Sequence, residues 1–162
     1  MPFNEEYSSG GLNKCTKCNL CKDRNNVVFG TGNEDADLMF IGEGPGADED
    51  KEGIPFVGKA GKLMNQAFIG LGINRENVYI ANIVKCRPPQ NRVPLKEEVE
   101  NCLNYLRTQV LLIKPKIINP NTIKTQKIKN FLNFLSIKLS ILNSNIFINF
   151  NNNLYKKTNC YE

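Results

Sequence analysis

The sequence contains no histidine and no tryptophan among its 162 residues. Without histidine, the chain cannot build a Ser-His-Asp or Cys-His nucleophile, a histidine general base, or a zinc site with histidine ligands. The rest of the composition is ordinary, with 41% apolar and 23% charged residues. This length and this composition are typical of one globular domain with a single core.

Long apolar runs are missing as well. No stretch approaches the roughly 18 consecutive apolar residues that indicate a membrane span, so we expect no membrane partner. Residues 1–11 are polar and lack the apolar segment of a signal peptide. Six cysteines in a chain without an export signal indicate a reducing, cytoplasmic compartment. Clustered cysteines there bind metal more often than they form disulfides.

The formal net charge of +5 is unevenly distributed along the chain. Residues 1–118 hold 15 basic and 15 acidic side chains, whereas residues 119–162 hold six lysines and a single acid, Glu162. The second segment also contains eleven asparagines and no glycine. A positive excess often indicates a polyanion partner, but this one lies entirely outside the first segment. We therefore place a boundary near Asn119, between a domain at 1–118 and a divergent Asn/Lys/Ile-rich tail at 119–162.

Short apolar runs alternate with helical patterns in the first segment. The runs at 36–42, 78–84 and 116–118 predict buried strands, and the apolar spacing at 58–71 and 95–113 predicts helices. The first helix is expected to end at Gly72 and to pack through Leu63, Ala67, Phe68 and Leu71. The second is expected to pack through Val99, Leu103, Leu106, Val110 and Ile113.

This alternation predicts an α/β fold, a parallel sheet with helices on both faces. Such sheets bind ligands at the carboxyl ends of their strands, so Glu43 and Asn82 should share one rim. The glycine-rich loop at 42–46 is expected to need unusual backbone angles. The acidic stretch at 48–52 is typical of a solvated charge run. In the tail, the apolar spacing suggests a helix at 128–142 and a strand at 146–150.

The cysteines form a pattern of their own. Cys15, Cys18 and Cys21 are spaced by three residues, Cys86 follows the second predicted strand, and Cys102 lies in the second long helix. Four thiolates at such positions suit a [4Fe–4S] cluster or a tetrahedral zinc, with scattered core cysteines as the alternative. Spacing alone leaves one cysteine of the triple unassigned. Cys160, in the tail, is interpreted as incidental.

Three stretches, together with Cys15 and Cys18, carry a resemblance to a known family. They are Gly42-Glu43-Gly44-Pro45-Gly46, Pro55-Phe56-Val57-Gly58-Lys59-Ala60-Gly61 and Asn82-Ile83-Val84-Lys85-Cys86-Arg87-Pro88-Pro89. With these blocks in this order, the chain from about residue 15 to 118 resembles a family 4 uracil-DNA glycosylase, the iron–sulfur type of bacteria and archaea. The resemblance implies a three-layer αβα fold with a four-stranded, mostly parallel sheet. It also implies a monomer that hydrolyses the N-glycosidic bond of uracil in DNA after flipping the base out of the stack.

The resemblance also assigns roles to residues. Phe56 would stack on the uracil, and the Asn82 amide would pair with its O4 and N3–H, a pattern that cytosine reverses. Glu43 would position a water or stabilise the sugar cation. The remaining base-pocket residues would be Gly42, Gly44, Pro45, Gly46 and Glu49, the last of which would hinder thymine. Phosphate contacts would come from Arg87, Asn91 and Arg92, and the cluster ligands would be Cys15, Cys18, Cys86 and Cys102, which leaves Cys21 spare.

Each of these residues also has an ordinary structural interpretation. Phe56 can be a core residue, Asn82 a turn residue and Glu43 a solvated loop acid. The glycines can serve a tight turn alone. The functional interpretation is preferred because all of these residues occur together in the order of the family.

The chain departs from the family after Ile118. The family continues to a His-Pro loop whose histidine is thought to stabilise the leaving uracil anion, and this chain has no histidine. The Asn, Ile, Lys and Phe bias of the tail is what out-of-frame reading of an AT-rich gene would give, so one hypothesis is a frameshift near codon 119. In that case the sheet loses a strand and activity is impaired. The alternative is a divergent tail whose segment at 146–150 supplies the last strand.

Two other functions fit the same residues. A non-catalytic iron–sulfur module would bind DNA or a replication partner, since related sequences occur in phage polymerase-associated proteins. A domain cross-linked by zinc, of unknown use, is the third interpretation.

Overall fold

The structure is a computed structural model that describes residues 9–119 and the backbone of residues 147–148. In this part of the chain, the strands are β1 (Thr31–Gly32), β2 (Leu38–Gly42), β3 (Tyr79–Asn82), β4 (Ile117–Asn119) and β5 (Phe147–Ile148). The helices are α1 (Ser9–Leu12), α2 (Ala47–Glu52), α3 (Lys59–Gly70) and α4 (Lys96–Ile113). Single turns of 3-10 helix lie at Asn19–Cys21, Arg75–Asn77 and Pro89–Asn91.

The strands form one sheet in the order β1-β3-β2-β4-β5. Strand β2 lies in the middle and pairs in parallel with β3 on one side and β4 on the other. Strand β1 is the antiparallel edge. The chain passes from β2 to β3 on one side and then crosses back to β4 on the other side of β2. At such a reversal, the carboxyl ends of adjacent strands, here β2 and β3, border a crevice that binds ligands in open α/β sheets.

Side chains of the central strands alternate between two helical layers. Met39 and Ile41 of β2 face a core that includes α1 and α4, whereas Phe40 faces a second core with Met64 and Phe68 of α3. The sheet is thus covered on both sides. The predicted three-layer αβα fold with a mostly parallel sheet is confirmed, but the described sheet has five strands where the resemblance implies four.

The two long helices differ in how well the sequence predicts their buried faces. Helix α4 buries the apolar residues expected of it, with Val99 half-buried against the same core; the buried set is Leu103, Leu106, Val110 and Ile113. For α3 the prediction is confirmed at Phe68 and wrong at Leu63, Ala67 and Leu71, which are exposed.

The face that α3 buries consists of Gly61, Met64 and Phe68. Gly61 explains the difference, since a Cβ at this position would overlap the backbone carbonyl of Phe56. The loop before α3 therefore packs on the glycine and sets the rotation of the helix. Gly72 has a φ of 68°, and its N–H bonds to the carbonyl of Ile69, so the predicted helix end is confirmed.

The sheet continues past β4 by one strand. Phe147 and Ile148 pair in parallel with Ile117 and Ile118 of β4. This strand lies within the predicted 146–150 segment, as the divergent-tail alternative requires. The helix predicted at 128–142 lies outside the described residues. Within the described ranges, no helix is long and apolar enough to cross a membrane.

Candidate functional site

A cavity of about 540 Å³ opens at the carboxyl ends of β2 and β3. Glu43 and Asn82 both line it, so the prediction that they share one rim is confirmed. The other predicted base-pocket residues on its wall are Gly44, Pro45, Gly46, Glu49 and Phe56. Further wall residues come from the loop before α4, among them Pro88, Asn91, Arg92, Val93 and Pro94.

Gly42, the remaining predicted base-pocket residue, is not on the cavity wall and lies behind two residues that are. It is opposite Asn82 in the β2–β3 register, and a Cβ on it would overlap the Asn82 Oδ1 atom and the Phe56 ring. Asn82 is 2% exposed, and its Oδ1 atom and the Phe56 ring both lie within 3 Å of where that Cβ would be. The glycine therefore provides space for an amide and an aromatic ring to meet above the strand.

The expectation of unusual backbone angles at 42–46 is wrong. Among the described residues, positive φ angles occur at other glycines and at four non-glycine residues, including Phe56, Gln90 and Asn91 at 55°. The left-handed region costs a residue with a side chain about 1 kcal/mol or more. The strain at this site therefore lies in the two loops that close the cavity, and the glycines of the 42–46 loop serve close packing.

Phe56 belongs both to the core and to the cavity wall. It is 8% exposed and packs in the cluster that contains Phe40, Met64 and Phe68. Packing on one side and an open cavity on the other give its ring a fixed position. The core interpretation and the binding interpretation of Phe56 are therefore compatible.

The Glu49 carboxylate ties the two halves of the cavity wall together. It accepts hydrogen bonds from the backbone N–H groups of Gly46 at 3.0 Å, Val57 at 3.0 Å and Gly58 at 2.9 Å. These bonds fix the loop that carries Phe56 against the start of α2. The predicted role of Glu49 in hindering thymine stays a prediction.

Asp50 corrects the interpretation of 48–52 as a solvated charge run. The stretch forms α2, and Asp50 is 0% exposed. Its carboxylate accepts from the backbone N–H of Asn25 at 3.0 Å and from that of Asn26 at 3.4 Å. The Asn26 amide donates to the Asp50 carbonyl at 2.9 Å. Asp50 thus joins the helix beside the cavity to the segment that follows Cys21.

The predicted phosphate-contact residues are held by protein partners. Arg92 makes a two-pronged ion pair with Glu98, with nitrogen–oxygen distances of 2.6 and 2.8 Å. This hydrogen-bonded pairing holds the pKa of the Glu98 carboxyl below its usual value. The Arg87 Nε atom donates to Asn91 Oδ1 at 2.8 Å. These contacts shape the loop at 88–94, and phosphate binding by the three residues stays a prediction.

Five cysteines surround a second, smaller cavity. Cys15, Cys18, Cys21, Cys86 and Cys102 all line it and are free thiols. The structure thus brings the four predicted ligands together from the N-terminal arm, the segment after β3 and helix α4. Cys21 lies there too.

Donor groups point at the sulfur atoms of three of these cysteines. The backbone N–H of Lys85 bonds to Cys102 Sγ at 3.2 Å, and Arg24 Nη1 bonds to Cys86 Sγ at 3.3 Å. The Tyr105 hydroxyl lies 3.6 Å from Cys15 Sγ. Hydrogen bonds of this kind stabilise thiolates and tune the potentials of iron–sulfur clusters.

Burial, in contrast, disfavours the thiolate form and so raises the pKa of the thiols. It raises the pKa of Cys18 and Cys86, and it raises that of Cys102 to about 12, with Lys85 opposing the shift. These thiols are therefore protonated when no metal is bound, and a metal must displace their protons.

The residues around this cavity are thiols, the ligand type of both iron–sulfur clusters and tetrahedral zinc. No group of three or more Cys, His, Asp or Glu side chains in the described ranges is arranged to hold one metal ion. In a four-iron cluster each cysteine binds a different iron, so the sulfurs need not converge on one point. Free cysteines alone, with hydrogen-bond donors on three of them, match that requirement.

Lys85 and Gln109 are site residues that the sequence did not indicate. Lys85 is 0% exposed, and desolvation lowers its pKa to about 7, with Cys102 opposing the shift. Its Nζ atom donates to the Asn82 carbonyl at 2.8 Å and to Gln109 Oε1 at 2.6 Å. A lysine within the apolar run from Ile83 to Cys86 was the available signal, because a lysine in a buried run needs partners.

The sequence was compared with known proteins. The family model of the uracil DNA glycosylase superfamily matches residues 29–144. The chain is 53% identical over 104 residues to the type-4 uracil-DNA glycosylase of Archaeoglobus fulgidus, an overlap that covers 64% of this chain and 52% of the relative. It is 50% identical over 113 residues to the type-4 uracil-DNA glycosylase of Thermotoga maritima, covering 70% and 59%.

A different kind of relative is a DNA polymerase of Bacillus phage SP01. It is 34% identical over 92 residues, which cover 56% of this chain and 10% of the polymerase. The chain spans a little over half the length of each of these two glycosylases.

Proposed function

The chain belongs to the uracil-DNA glycosylase superfamily, and from that premise we propose that it binds uracil flipped out of DNA and hydrolyses its N-glycosidic bond. The observation that carries the proposal is the meeting of Asn82 and Phe56 above Gly42, on the wall of a 540 Å³ cavity. This arrangement offers a flat apolar surface and one amide, which together match the face and the edge of a pyrimidine.

Recognition follows from the chemistry of these two side chains. The Phe56 ring stacks on the base, and Asn82 donates from its NH₂ to uracil O4 while its Oδ1 accepts from N3–H. Cytosine offers an amine where uracil has O4 and an unprotonated N3, so the same amide rejects it. Because the amide is nearly buried, a mismatched base leaves polar groups unpaired at a cost of about 1–3 kcal/mol each.

Glu43 is the proposed catalytic residue. It lies directly after β2, half-buried on the cavity wall, where a carboxylate can orient water and stabilise positive charge on the sugar. The chain has no histidine to stabilise the leaving uracil anion. Removal of one such donor typically costs about a hundredfold to a thousandfold in rate, so we propose slow but uracil-specific hydrolysis.

We propose that Cys15, Cys18, Cys86 and Cys102 hold a [4Fe–4S] cluster, with zinc as the alternative. What supports this is the gathering of the four residues around one cavity with donors on three of their sulfurs. When bound, the cluster would cross-link the N-terminal arm to α4 and to the segment after β3. Cys21 is the spare thiol in this assignment. The cytoplasmic location and the monomeric state stay predictions.

Single-turnover release of uracil from single-stranded DNA tests the proposed activity. We expect the chain to release uracil at least a hundredfold more slowly than the Archaeoglobus fulgidus relative, and Glu43→Gln to abolish the release. Matched oligonucleotides with thymine or cytosine at the same position are the controls. Release as fast as that of the relative would contradict the impairment, and equal release from all three oligonucleotides would contradict the function.

A second candidate function is a non-catalytic iron–sulfur module that binds DNA. The similarity to the phage SP01 DNA polymerase favours it, since the matching stretch there is part of a replication protein. This candidate requires DNA binding of equal strength for uracil and cytosine oligonucleotides, with no base released. The release assay run beside a plain binding assay distinguishes the two functions.

A further inference from the structure

Lys85 is fully buried, and each of its polar groups has a partner. Its backbone N–H bonds to Cys102 Sγ at 3.2 Å, and its carbonyl accepts from the N–H of Val28 at 2.8 Å. Its side chain folds back to the Asn82 carbonyl and to Gln109 Oε1. One residue thus contacts both the cysteine cavity and the strand that ends in the base-pocket amide.

The carbonyl that Lys85 holds lies where β3 leaves the sheet. The Asn82–Lys85 contact closes the bend at 83–86, and the N–H groups of Ile83 and Val84 bond to the carbonyls of Gly42 at 2.9 Å and Glu43 at 3.2 Å. A buried carbonyl without a donor is costly, so the hydrogen bond from Lys85 Nζ holds the Asn82 peptide plane. The direction of the Asn82 side chain depends on that plane.

Gln109 holds the other side of the ammonium. Its Nε2 donates to the Phe29 carbonyl at 2.9 Å and to the Tyr79 hydroxyl at 3.2 Å, which leaves Oε1 for Lys85. The Lys85 ammonium also lies 5.9 Å from the centre of the Phe29 ring. These contacts locate the ammonium between helix α4 and the end of β3.

We propose that Lys85 is a positioning residue for base recognition, which holds the Asn82 backbone so that its amide faces the cavity and links this amide mechanically to the cysteine site. The inference deepens the proposed function and rests on it for the identity of the base. Because Lys85 is buried behind Asn82, it does not touch the substrate and acts on it through Asn82.

The test uses Lys85→Met, with Tyr79→Phe as the matched control. Met fills the same space without the donor, whereas Tyr79→Phe removes a hydrogen bond from the far end of the same network and leaves the Lys85–Asn82 contact in place. The first readout is hydrogen exchange of the Ile83 and Val84 amides, followed by mass spectrometry. The second is the ratio of affinities for oligonucleotides with uracil and with cytosine.

We expect at least tenfold faster exchange at these two amides and a tenfold smaller uracil-to-cytosine ratio in Lys85→Met, with both quantities unchanged in Tyr79→Phe. Equal behaviour of the two variants at equal stability would overturn the proposal. If Lys85→Met does not fold, Gln109→Leu and Gln109→Glu replace it, since only the second keeps an acceptor for the ammonium. We then expect Gln109→Glu to keep the uracil preference and Gln109→Leu to lose it, and equal loss in both would overturn the proposal.

The proposed function and the proposed role of Lys85 can be contradicted independently of each other. Wild-type protein without a preference for uracil would contradict the proposed function. The exchange of the Ile83 and Val84 amides would still decide whether Lys85 holds the end of β3.

Discussion

At the scale of single residues, the base pocket depends on how much space each position leaves. The motifs predicted Asn82, Phe56 and Glu43 through the family resemblance, with chemistry that suits a pyrimidine for the first two and the sugar and water for Glu43. They did not predict the reason for Gly42, which was interpreted as a backbone requirement and is a requirement for space. Lys85, Gln109 and Asp50 were missed because their partners lie up to 80 residues away along the chain, where no periodicity connects them.

Gly42→Ala tests the requirement for space. The added methyl group would overlap the Asn82 amide and the Phe56 ring, so we expect at least a tenfold loss of uracil-oligonucleotide affinity and a loss of about 1–3 kcal/mol in the free energy of unfolding. Denaturant titration and a binding assay measure the two effects. The control is Gly70→Ala, where the new Cβ would have no neighbour within 4 Å. Similar effects of both substitutions would refute this interpretation of Gly42.

At the scale of elements, helices with an apolar stripe were predictable and the acidic helix was not. Helix α4 shows its buried face directly in the sequence. Helix α3 was located correctly, but its rotation is set by Phe56 packing on Gly61, a contact that the apolar spacing does not contain. Helix α2 has no apolar stripe. Instead, it is held in place because backbone N–H groups of the neighbouring loops donate to Glu49 and Asp50.

Asp50→Asn tests the join between α2 and the segment after Cys21. The carboxylate accepts from two backbone N–H groups in a buried position, so we expect the substitution to lower the free energy of unfolding by about 1–3 kcal/mol. Asp48→Asn, on the exposed face of the same helix, should change it by less than about 0.5 kcal/mol. Urea unfolding of the two variants measures the difference. Equal, small changes in the free energy of unfolding would show that Asp50 does not stabilise the contact between α2 and this segment.

The start of α4 should make stability depend on pH. Pairing with Arg92 lowers the folded-state pKa of Glu98 below its usual value of 4.5, and Glu98 also accepts from the Leu95 N–H. A carboxyl with a lowered folded-state pKa stabilises the protein above its unfolded-state pKa, and this contribution is lost as the pH falls through the folded-state pKa.

We therefore expect Glu98→Gln to be less stable than the wild type at pH 7. The difference should shrink steadily below pH 4.5. Urea midpoints measured from pH 3 to pH 7 check this, with the exposed Glu100→Gln as the control. A difference that stayed constant across this range would contradict the role of the Glu98 charge.

At the scale of the whole molecule, the cysteines connect parts that are distant in sequence. If they bind one cluster, its loss should loosen the N-terminal arm. We expect Cys102→Ala to abolish the visible absorption and the bound iron of the purified protein. We also expect it to lower the free energy of unfolding, because a group that binds only the folded state stabilises it.

Cys21→Ala is the matched control for the cluster. This thiol lines the same cavity but is the spare one in our assignment, so iron content, absorption and stability should be retained. Loss of iron in Cys21→Ala together with its retention in Cys15→Ala would reverse the assignment. Zinc in place of iron in the purified protein would favour the alternative metal.

The tail is the part of the molecule that the sequence predicted least. Asn is a weak former of both helices and strands. The sequence of the tail therefore did not distinguish a helix or a strand from an unstructured segment. The pairing of β5 with β4 is what a divergent tail requires. The nucleotide sequence around codon 119 decides between this hypothesis and the frameshift, since only a frameshift leaves a glycine-rich turn and a His-Pro loop encoded in another frame downstream.

We propose above all that the cavity at the ends of β2 and β3 recognises uracil through Asn82. The most direct test is the affinity of the protein for single-stranded oligonucleotides that differ only in one base, uracil or cytosine, with a 2′-fluoro sugar that prevents hydrolysis. We expect the uracil oligonucleotide to bind at least tenfold more tightly, and Asn82→Ala to bind both equally. Equal affinities in the wild type, or a preference that survives Asn82→Ala, would contradict this proposal.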